Sequence, residues 1–482
     1  MESVSHTSQL PLYKQVAEKL ENGIATGRYP EGKLPPELNL AKNLQVSTTT
    51  IKQSLNLLVH KGLIYRRPRQ GTFIRKNGGE VAFASVSKTK TQVLRWLKLA
   101  DLAYVSDVES AIKDRFEFLY PRWRLEVQSA RDIDPFFMPE KKLIESAHVI
   151  TFNARWFSRL FQCGVLTPLN SFKERFAFDQ YFPEALNFWQ REGSYYALPC
   201  MLNTASIYYN RSLFEENSIE IPSPDCTWEQ LCSALCRLSG ERKGRPVRRL
   251  VTFKDLLMYW ENFIWQHGGD IFEPGSTCCA MDKPEARAGL AEAQTVLQTF
   301  CDGRPPFLRD QAGVLFQESR AQDIAAFMGG PIFNVFLRDA ADDWAVRRLP
   351  SSGLPARSAA CYGTGISRSA QPVEQAAALL DLIAGDFGQQ LFGLNSSIMP
   401  AFRPAAEKYF GAHPRHDFSG FLDTTGKLHF AMPWVYDPVI YPALADHIQK
   451  FFERKSSLDD ALRRIGGLVA NLQPSLEQIW TV

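Results

Sequence analysis

Thr48, Thr49, Lys52 and Gln53 stand within one short stretch, and Arg66, Arg67, Arg69 and Gly71 crowd another shortly after it. Hydroxyls, an ammonium and an amide side by side donate hydrogen bonds to base edges and phosphate oxygens. Guanidiniums around a glycine, which lets a backbone come close, suit a phosphate chain. The chemistry on offer is recognition of a polyanion rather than bond breaking. The 8 histidines, among them His148, His267, His413 and His416, are scattered, and none sits in an HExxH or GxSxG setting. The carboxylate pairs Asp342-Asp343 and Asp459-Asp460 lie in polar stretches and read as solvated faces. The 9 cysteines lack metal-ligand spacing: Cys226, Cys232 and Cys236 make no CxxC, and Cys278-Cys279 are merely adjacent. No catalytic residue, metal or cofactor is expected.

An amphipathic pattern positions the first polar group. Tyr13, Val16, Ala17, Leu20 and Ile24 recur at helical spacing and make one apolar face. Gly27 ends that helix, and Pro30, Pro35 and Pro36 hold the next stretch out of helix. A short helix follows with Leu40, Ala41 and Leu44 inward. After a Gln45-Val46 turn, Ser47 occupies an N-cap position. The next helix buries Ile51, Leu55, Leu58 and Val59. That turns Thr48, Thr49, Lys52 and Gln53 outward near its N-terminus, where a recognition helix meets the major groove. Beyond Gly62, the runs 63–67 and 72–76 bracket Pro68-Arg69-Gln70-Gly71, a hairpin with a basic rim.

The string LPPELNLAKNLQVSTTTIKQSLNLLVHKGLIYRRPRQGTFI, residues 34–74, resembles the winged helix-turn-helix of GntR-type bacterial transcription regulators. The resemblance rests on the proline-rich turn, the two helices, the Gly62 turn and the Gly71-Thr72-Phe73 wing. It implies a DNA-binding domain over residues 1–76. Leu38 and Thr48 stand where members of that family often carry arginines, while Lys52 keeps the basic character at a third such position. Charge agrees. The first 79 residues hold twelve Lys and Arg against five Asp and Glu, in a chain whose net charge is only +3, so the rest is slightly acidic.

At 482 residues the chain has length for about three domains, and 45% hydrophobic content is ample for buried cores. The opening MESVSHTSQLPLYKQ carries no basic-then-apolar export signal and no lipid-attachment cysteine. No apolar run approaches the ~20 residues of a membrane span. With thiols kept reduced, the expected setting is the cytoplasm, away from membranes. Residues 77–91, opening on Asn77-Gly78-Gly79, read as a linker.

From about Thr91 the pattern changes. Residues 92–99, 124–128 and 148–152 read as strands, 105–120 as a helix, and a further helix carries Phe157, Leu160 and Phe161. Residues 195–199 and 206–210 read as a strand pair around Met201-Leu202-Asn203. The alternation predicts an α/β architecture.

Several segments resemble, in order, the extracellular solute-binding proteins of sugar ABC transporters. They are HVITFNARWFSRLFQCGVLTPL (148–169), GSYYALPCMLNTASIYYNRSLFEENSIEIPSPDCTWEQL (193–231), FIWQHGGD (263–270), AAFMGGP (325–331), GTGIS (363–367) and residues 375–400. The resemblance covers residues 92–482 and implies two periplasmic-binding-protein-like α/β lobes with a ligand cleft between them. Lobe one would take 92–203 and 331–382, and lobe two 204–330 and 383–482, with hinges near Asn203-Thr204 and Gly329-Gly330. Such clefts hold sugars by aromatic faces and by polar groups on hydroxyls. The resemblance therefore points to Asn153, Arg155, Trp156, Asn203, Trp260, Glu261, Asn334, Tyr362, Trp434 and Tyr436 as ligand-binding. Trp156 and Trp260 equally suit a core, and Arg155 and Glu261 a solvated surface. Ile332 departs from the pattern, standing where sugar binders often place a stacking tryptophan.

Together these readings imply a sequence-specific regulator in which a small effector, a carbohydrate, controls binding to a double-stranded DNA operator. The basic block occupies the place of an export signal, which argues against a secreted sugar binder. A homodimer is expected, since helix-turn-helix half-sites lie about one duplex turn apart. Two rivals remain. The body could serve only dimerisation or partner contacts. Alternatively, some GntR-type regulators carry a pyridoxal-phosphate-binding aminotransferase-like domain, and Ser85-Val86-Ser87-Lys88-Thr89 mimics its lysine motif. Lys88, however, lies in the linker rather than deep in a second domain, and no phosphate cradle or pyridinium partner accompanies it.

Overall fold

The computed structural model describes residues 12–25, 29, 33–44, 46, 50–51, 54–55, 58, 63–67, 71–74, 92–99, 106–129, 141–252, 260–273, 276, 278–300, 316, 322–337, 340–395, 398–413, 415–430 and 440–480. The linker and Lys88 lie outside them. The chain parts into two compact units, Met1–Val93 with Ser110–Arg124, and Leu94–Glu109 with Leu125–Val482.

In the first unit, the helix Leu12–Ala25 turns Val16, Ala17 and Leu20 inward, and the helix Glu37–Leu44 adds Leu40 and Ala41. Glu37 sits in the first turn, where a negative charge suits the helix dipole. Thr50, Ile51, Ser54, Leu55 and Leu58 are helical, and their i, i+4, i+7 members Ile51, Leu55 and Leu58 are fully buried. Ser54 is buried among them because its hydroxyl donates back to the Thr50 carbonyl at 2.7 Å. The strands Ile64–Arg67 and Gly71–Ile74 pair antiparallel, Ile64 opposite Ile74 and Arg67 opposite Gly71. Lys33 bridges to Phe73, and the Leu34 N–H donates to the Thr72 carbonyl at 2.9 Å, so the segment entering the helix-turn-helix also braces the wing. One apolar cluster unites all of these elements.

The second unit is built on two sheets. The first runs Lys427–Phe430, Ala356–Ile366, Val149–Phe152, Gln92–Lys98, Trp123–Ser129, with Leu198–Thr204 also paired to Ala356–Ile366. The second runs Arg248–Val251, Ile324–Gly329, Ser206–Asn210, Trp344–Arg348. Val149–Phe152 and Ile324–Gly329 are buried at every position, as strands covered on both faces must be. Met201, Leu202 and Asn203, expected between two strands, instead continue one strand from Leu198 to Thr204.

Around the second sheet pack the helices Trp228–Arg237, Glu261–Gln266, Pro284–Phe300, Ile440–Phe452 and Leu458–Trp480. Thr227 and Gln230 form a reciprocal capping box that starts the first of these. The expected lobe boundary at residue 383 is not where the chain changes sides. Gln389, on the helix Asp386–Asn395, donates to the Cys200 carbonyl of the first sheet at 2.9 Å, and Lys427–Phe430 is a strand of that sheet. Residues 416–421 and the last two helices do lie against the second sheet.

Asp342, expected on a solvated face, is 7% exposed, ion-paired to Arg242 and hydrogen-bonded by the Asn210 amide at 2.8 Å. Glu216 completes the pair on Arg242. Asp459 and Asp460 do lie on an exposed helix face.

His416 anchors the edge of the second sheet. Its Nδ1 accepts from the Trp344 N–H at 3.3 Å, and its Nε2 lies 3.3 Å from the Leu337 carbonyl, which selects the neutral ring protonated at Nε2. Burial first, then His413 and Arg415, hold its pKa down at about 4, below the usual 6.5. The unfolded chain therefore takes the proton first as pH falls. The stability from neutral His416 is full above pH 6.5 and drains between 6.5 and about 4. The melting temperature is expected to drop across that window. H416Q should start lower and show a shallower drop; parallel pH profiles would exclude His416 as the titrating group.

Candidate functional site

Of the residues expected on DNA, Thr48, Thr49, Lys52, Gln53 and Arg69 lie outside the described residues. The helical positions between them are held by Ile51, Leu55 and Leu58. Arg66 and Arg67 lie on the first wing strand, opposite Thr72 and Gly71. Lys33, which the sequence reading did not select, places its ammonium 5.2 Å from the centre of the Phe73 ring on the second wing strand.

The site in the second unit lies where the chain passes between its sheets. The first passage is a single residue. Leu198–Thr204 belongs to the first sheet and Ser206–Asn210 to the second, and the Ala205 N–H donates to the Ser358 carbonyl at 2.8 Å. The second passage was expected at Gly329-Gly330. That is incorrect: Trp344–Arg348 pairs with Ser206–Asn210, so the chain is still in the second sheet after Gly330. The Gly-Gly-Pro run makes a tight turn at the sheet's end, where a Cβ on Gly329 would lie 2.7 Å from the Phe333 ring. The chain returns over residues 349–355.

Between sheets a backbone has no ladder partner, so side chains must satisfy it. Asn262 and Gln266 do this from one face of the helix Glu261–Gln266, one turn apart. The Asn262 Oδ1 accepts from the Ser358 N–H at 2.7 Å. The Gln266 Nε2 donates to the carbonyls of Pro350 at 2.9 Å and Ala356 at 3.2 Å, while its Oε1 accepts from the Trp228 indole at 2.8 Å. The Leu354 N–H reaches the Gln266 carbonyl at 2.8 Å. Both amide side chains are buried.

Three candidate ligand residues gather near the strand Ala356–Ile366. Tyr362, half-buried, is opposite Met201; Asn203, half-buried, is opposite Ala360; and Asn153 follows Phe152, which is opposite Gly363. Asn153 and Asn203 also do local work. The Asn153 Oδ1 caps a helix by accepting from the Trp156 N–H at 3.4 Å, and the Asn203 Oδ1 accepts from the Met399 N–H at 3.3 Å. Trp156 is half-buried in that helix's first turn. The Arg155 side chain, Trp434 and Tyr436 lie outside the described residues.

Burial sets the others apart. Trp260 is 1% exposed within the apolar core, so its ring presents no open stacking face, and Glu261 is wholly buried rather than a surface charge. Asn334, 3% exposed, accepts from the Tyr208 hydroxyl at 2.6 Å beside the Gly330 carbonyl.

The sequence reading passed over Trp265 and His429, which stack with centroids 4.5 Å apart and planes 9° from parallel. His429 is opposite Ser358, on the face that carries Tyr362, and burial followed by Lys427 holds its pKa down at about 4. Its ring is therefore neutral at neutral pH and offers both a donor and an acceptor. Trp265 lies inside FIWQHGGD, but nothing near it in sequence points to a partner 164 positions on.

A model of bacterial regulatory proteins of the gntR family matches residues 12–74, and a model of bacterial extracellular solute-binding proteins matches residues 139–409. The HTH-type transcriptional repressor NagR of Bacillus subtilis is 34% identical over 86 residues, 18% of this chain and 35% of its own length. A putative binding protein of Brucella abortus is 22% identical over 282 residues, 54% of this chain and 64% of its own length. The chain thus spans less than two thirds of either relative. Among solved structures, the ABC substrate-binding protein Lmo0181 from Listeria monocytogenes, in complex with cycloalternan, has a TM-score of 0.63 at 17% identity, over 79% of this chain and 98% of that one. M. tuberculosis UspC has a TM-score of 0.64 at 16% identity, over 78% and 99%. Likeness at such identity speaks for the fold alone. No helix among the described residues is long and apolar enough to cross a membrane, and no acid, His or Cys cluster among them is arranged to hold a metal.

Replacing Gln266 by leucine keeps the volume but orphans two carbonyls and the Trp228 indole. Each orphaned group costs about 1–3 kcal/mol. Q266L is expected to lower the melting temperature clearly, whereas E229Q, on the exposed side of a neighbouring helix, should leave it near wild type. Similar melting of both variants would dismiss the pin.

Proposed function

Because the chain belongs to the bacterial extracellular solute-binding protein family and carries a gntR-family DNA-binding domain at residues 12–74, we propose that it is a transcription regulator whose operator binding is set by a small ligand held between its two lobes. The carrying observation is the pair of sheets joined by short passages, with Asn203, Tyr362, His429 and Trp265 around them. Half-buried amide, phenol and imidazole groups suit a carbohydrate, whose hydroxyls need hydrogen bonds and whose C–H faces can rest on a ring such as that of Tyr362. The winged helix supplies the contact with a double-stranded operator, through Thr48, Thr49, Lys52 and Gln53 in the groove and Arg66, Arg67, Arg69 and Gly71 along the backbone.

A ligand shifts operator affinity only if it prefers one arrangement of the protein over another. In a homodimer that difference is readable, because two winged helices must match two half-sites at once. The reading needs no catalysis, metal or cofactor, and it places the protein in the cytoplasm with the DNA.

Thermal-shift screening of the full chain against mono- and oligosaccharides should find a selective stabiliser, since a ligand that prefers the native state raises its melting temperature. The same sugar should change the mobility shift of operator DNA. Y362F, which removes only the hydroxyl, should weaken that sugar about tenfold. A panel that leaves melting untouched, with DNA binding intact, would replace the sensor by a body used for dimerisation alone.

A further inference from the structure

Arg357 is 2% exposed, and its Nε, Nη1 and Nη2 meet no hydrogen-bond acceptor among the described residues. It stands at the start of Ala356–Ile366, directly after the second passage between the sheets, with Leu428 opposite. The carboxylate whose charge reaches it, Asp423, serves a different guanidinium: it lies 3.9 Å from the Arg348 Nε while accepting from the Thr425 N–H at 2.9 Å. Burial first, eased by Asp423 and reinforced by Arg348, lowers the Arg357 pKa to about 10, so the group remains a cation at neutral pH. A charge held in a dry interior without a partner is strongly unfavourable.

The surroundings say what is missing. Strand pairing puts Thr204 opposite Ala359, and thus on the face that Arg357 shares; its Oγ1 is also buried without a hydrogen-bond partner. Leu428 and Phe430, opposite Arg357 and Ala359 on that face, are only half-buried, so solvent approaches within a residue or two of the guanidinium. A planar fork of N–H donors beside an idle hydroxyl matches the oxygens of a phosphate or a carboxylate.

We propose that Arg357 and Thr204 form an anion-binding site at the passage between the lobes, on the face of Ala356–Ile366 away from Asn203, Tyr362 and His429, and that it takes a phosphate or a carboxylate separately from any ligand of the cleft. Arriving oxygens supply the missing acceptors at the point where the lobes are joined.

The test uses the full chain as wild type, R357M, R357K and T204V, with thermal melting at matched ionic strength in chloride, inorganic phosphate, glucose, glucose 6-phosphate and glucuronate. Wild type should be stabilised by inorganic phosphate more than by chloride or glucose, with glucose 6-phosphate and glucuronate acting through the same anionic group. T204V should weaken that effect. R357K should retain part of it and R357M none, with R357M falling about tenfold or more in apparent affinity for the anion. Without ligand, R357M should melt above wild type because an unpaired charge is gone. An anion shift that persists in R357M overturns the proposal, and so does an R357M protein that melts below wild type with R357K restoring it. Stabilisation by neutral sugars alone also overturns it, while leaving the carbohydrate sensor standing. Stabilisation by phosphate, lost in R357M, with every neutral sugar silent, keeps the site and removes the carbohydrate.

Discussion

Backbone that leaves one sheet for another surrenders its hydrogen-bond partners, and the second unit is organised around restoring them. Gln266 alone serves two carbonyls of the return passage and one indole of the lobe behind it. Asn262 serves Ser358, and the Ser358 carbonyl in turn serves Ala205 of the other passage. Both passages are thereby tied to one short helix. That helix is itself held tightly, for Gly289 lies so close beneath it that a Cβ would sit 2.5 Å from the Phe263 carbonyl. A rigid seat for the passages lets the groups carried on them, Asn203 and Tyr362 among them, keep fixed positions. Such pre-organisation is what a binding site needs before any ligand arrives.

The winged helix follows a simpler rule. Its cluster is built from short-range repeats of apolar residues, and among the described residues the Lys33-Leu34 segment braces the wing. The proline-rich stretch thus has a job beyond ending a helix: it ties the hairpin to the helices. In the proposed regulator this keeps the two DNA-contacting parts in one frame. Phosphate contacts fix such a frame on the duplex, while base contacts read the sequence.

How much was legible in the chain follows from how local each signal is. The wing and its helices were readable because Ile51, Leu55 and Leu58 sit at helical spacing and Gly71-Thr72-Phe73 follows a turn. The apolar run 149–152 was readable for the same reason, whereas the first passage near 203–204 came only from the resemblance to solute-binding proteins. The second passage was not, because its position is set by Trp344–Arg348 pairing with a strand more than a hundred residues earlier. Asp342 looked solvated because its partner Arg242 is 100 positions away. Glu261 read as a ligand contact or a solvated charge, and nothing marked Asn262 or Gln266, since a sequence does not announce that polar backbone waits inside to be met. Arg357 carried the faintest signal, a lone cation opening a strand of small residues.

The strand Ala356–Ile366 is hydrogen-bonded on its flanks by segments that end at residue 152, residue 204 and residue 430. The first sheet therefore stays open along its middle until more than two hundred further residues of chain have been synthesised. The second lobe, lying between those pieces in sequence, has most of its strands in hand earlier. Such an order of assembly is dominated by distant pairings, which fold slowly and leave strand edges exposed meanwhile. A growing chain of this protein would carry an unfinished sheet edge through much of its synthesis, behind a finished winged helix. Truncation just before residue 356 would remove less than a third of the chain and yet leave Val149–Phe152 without its central neighbour.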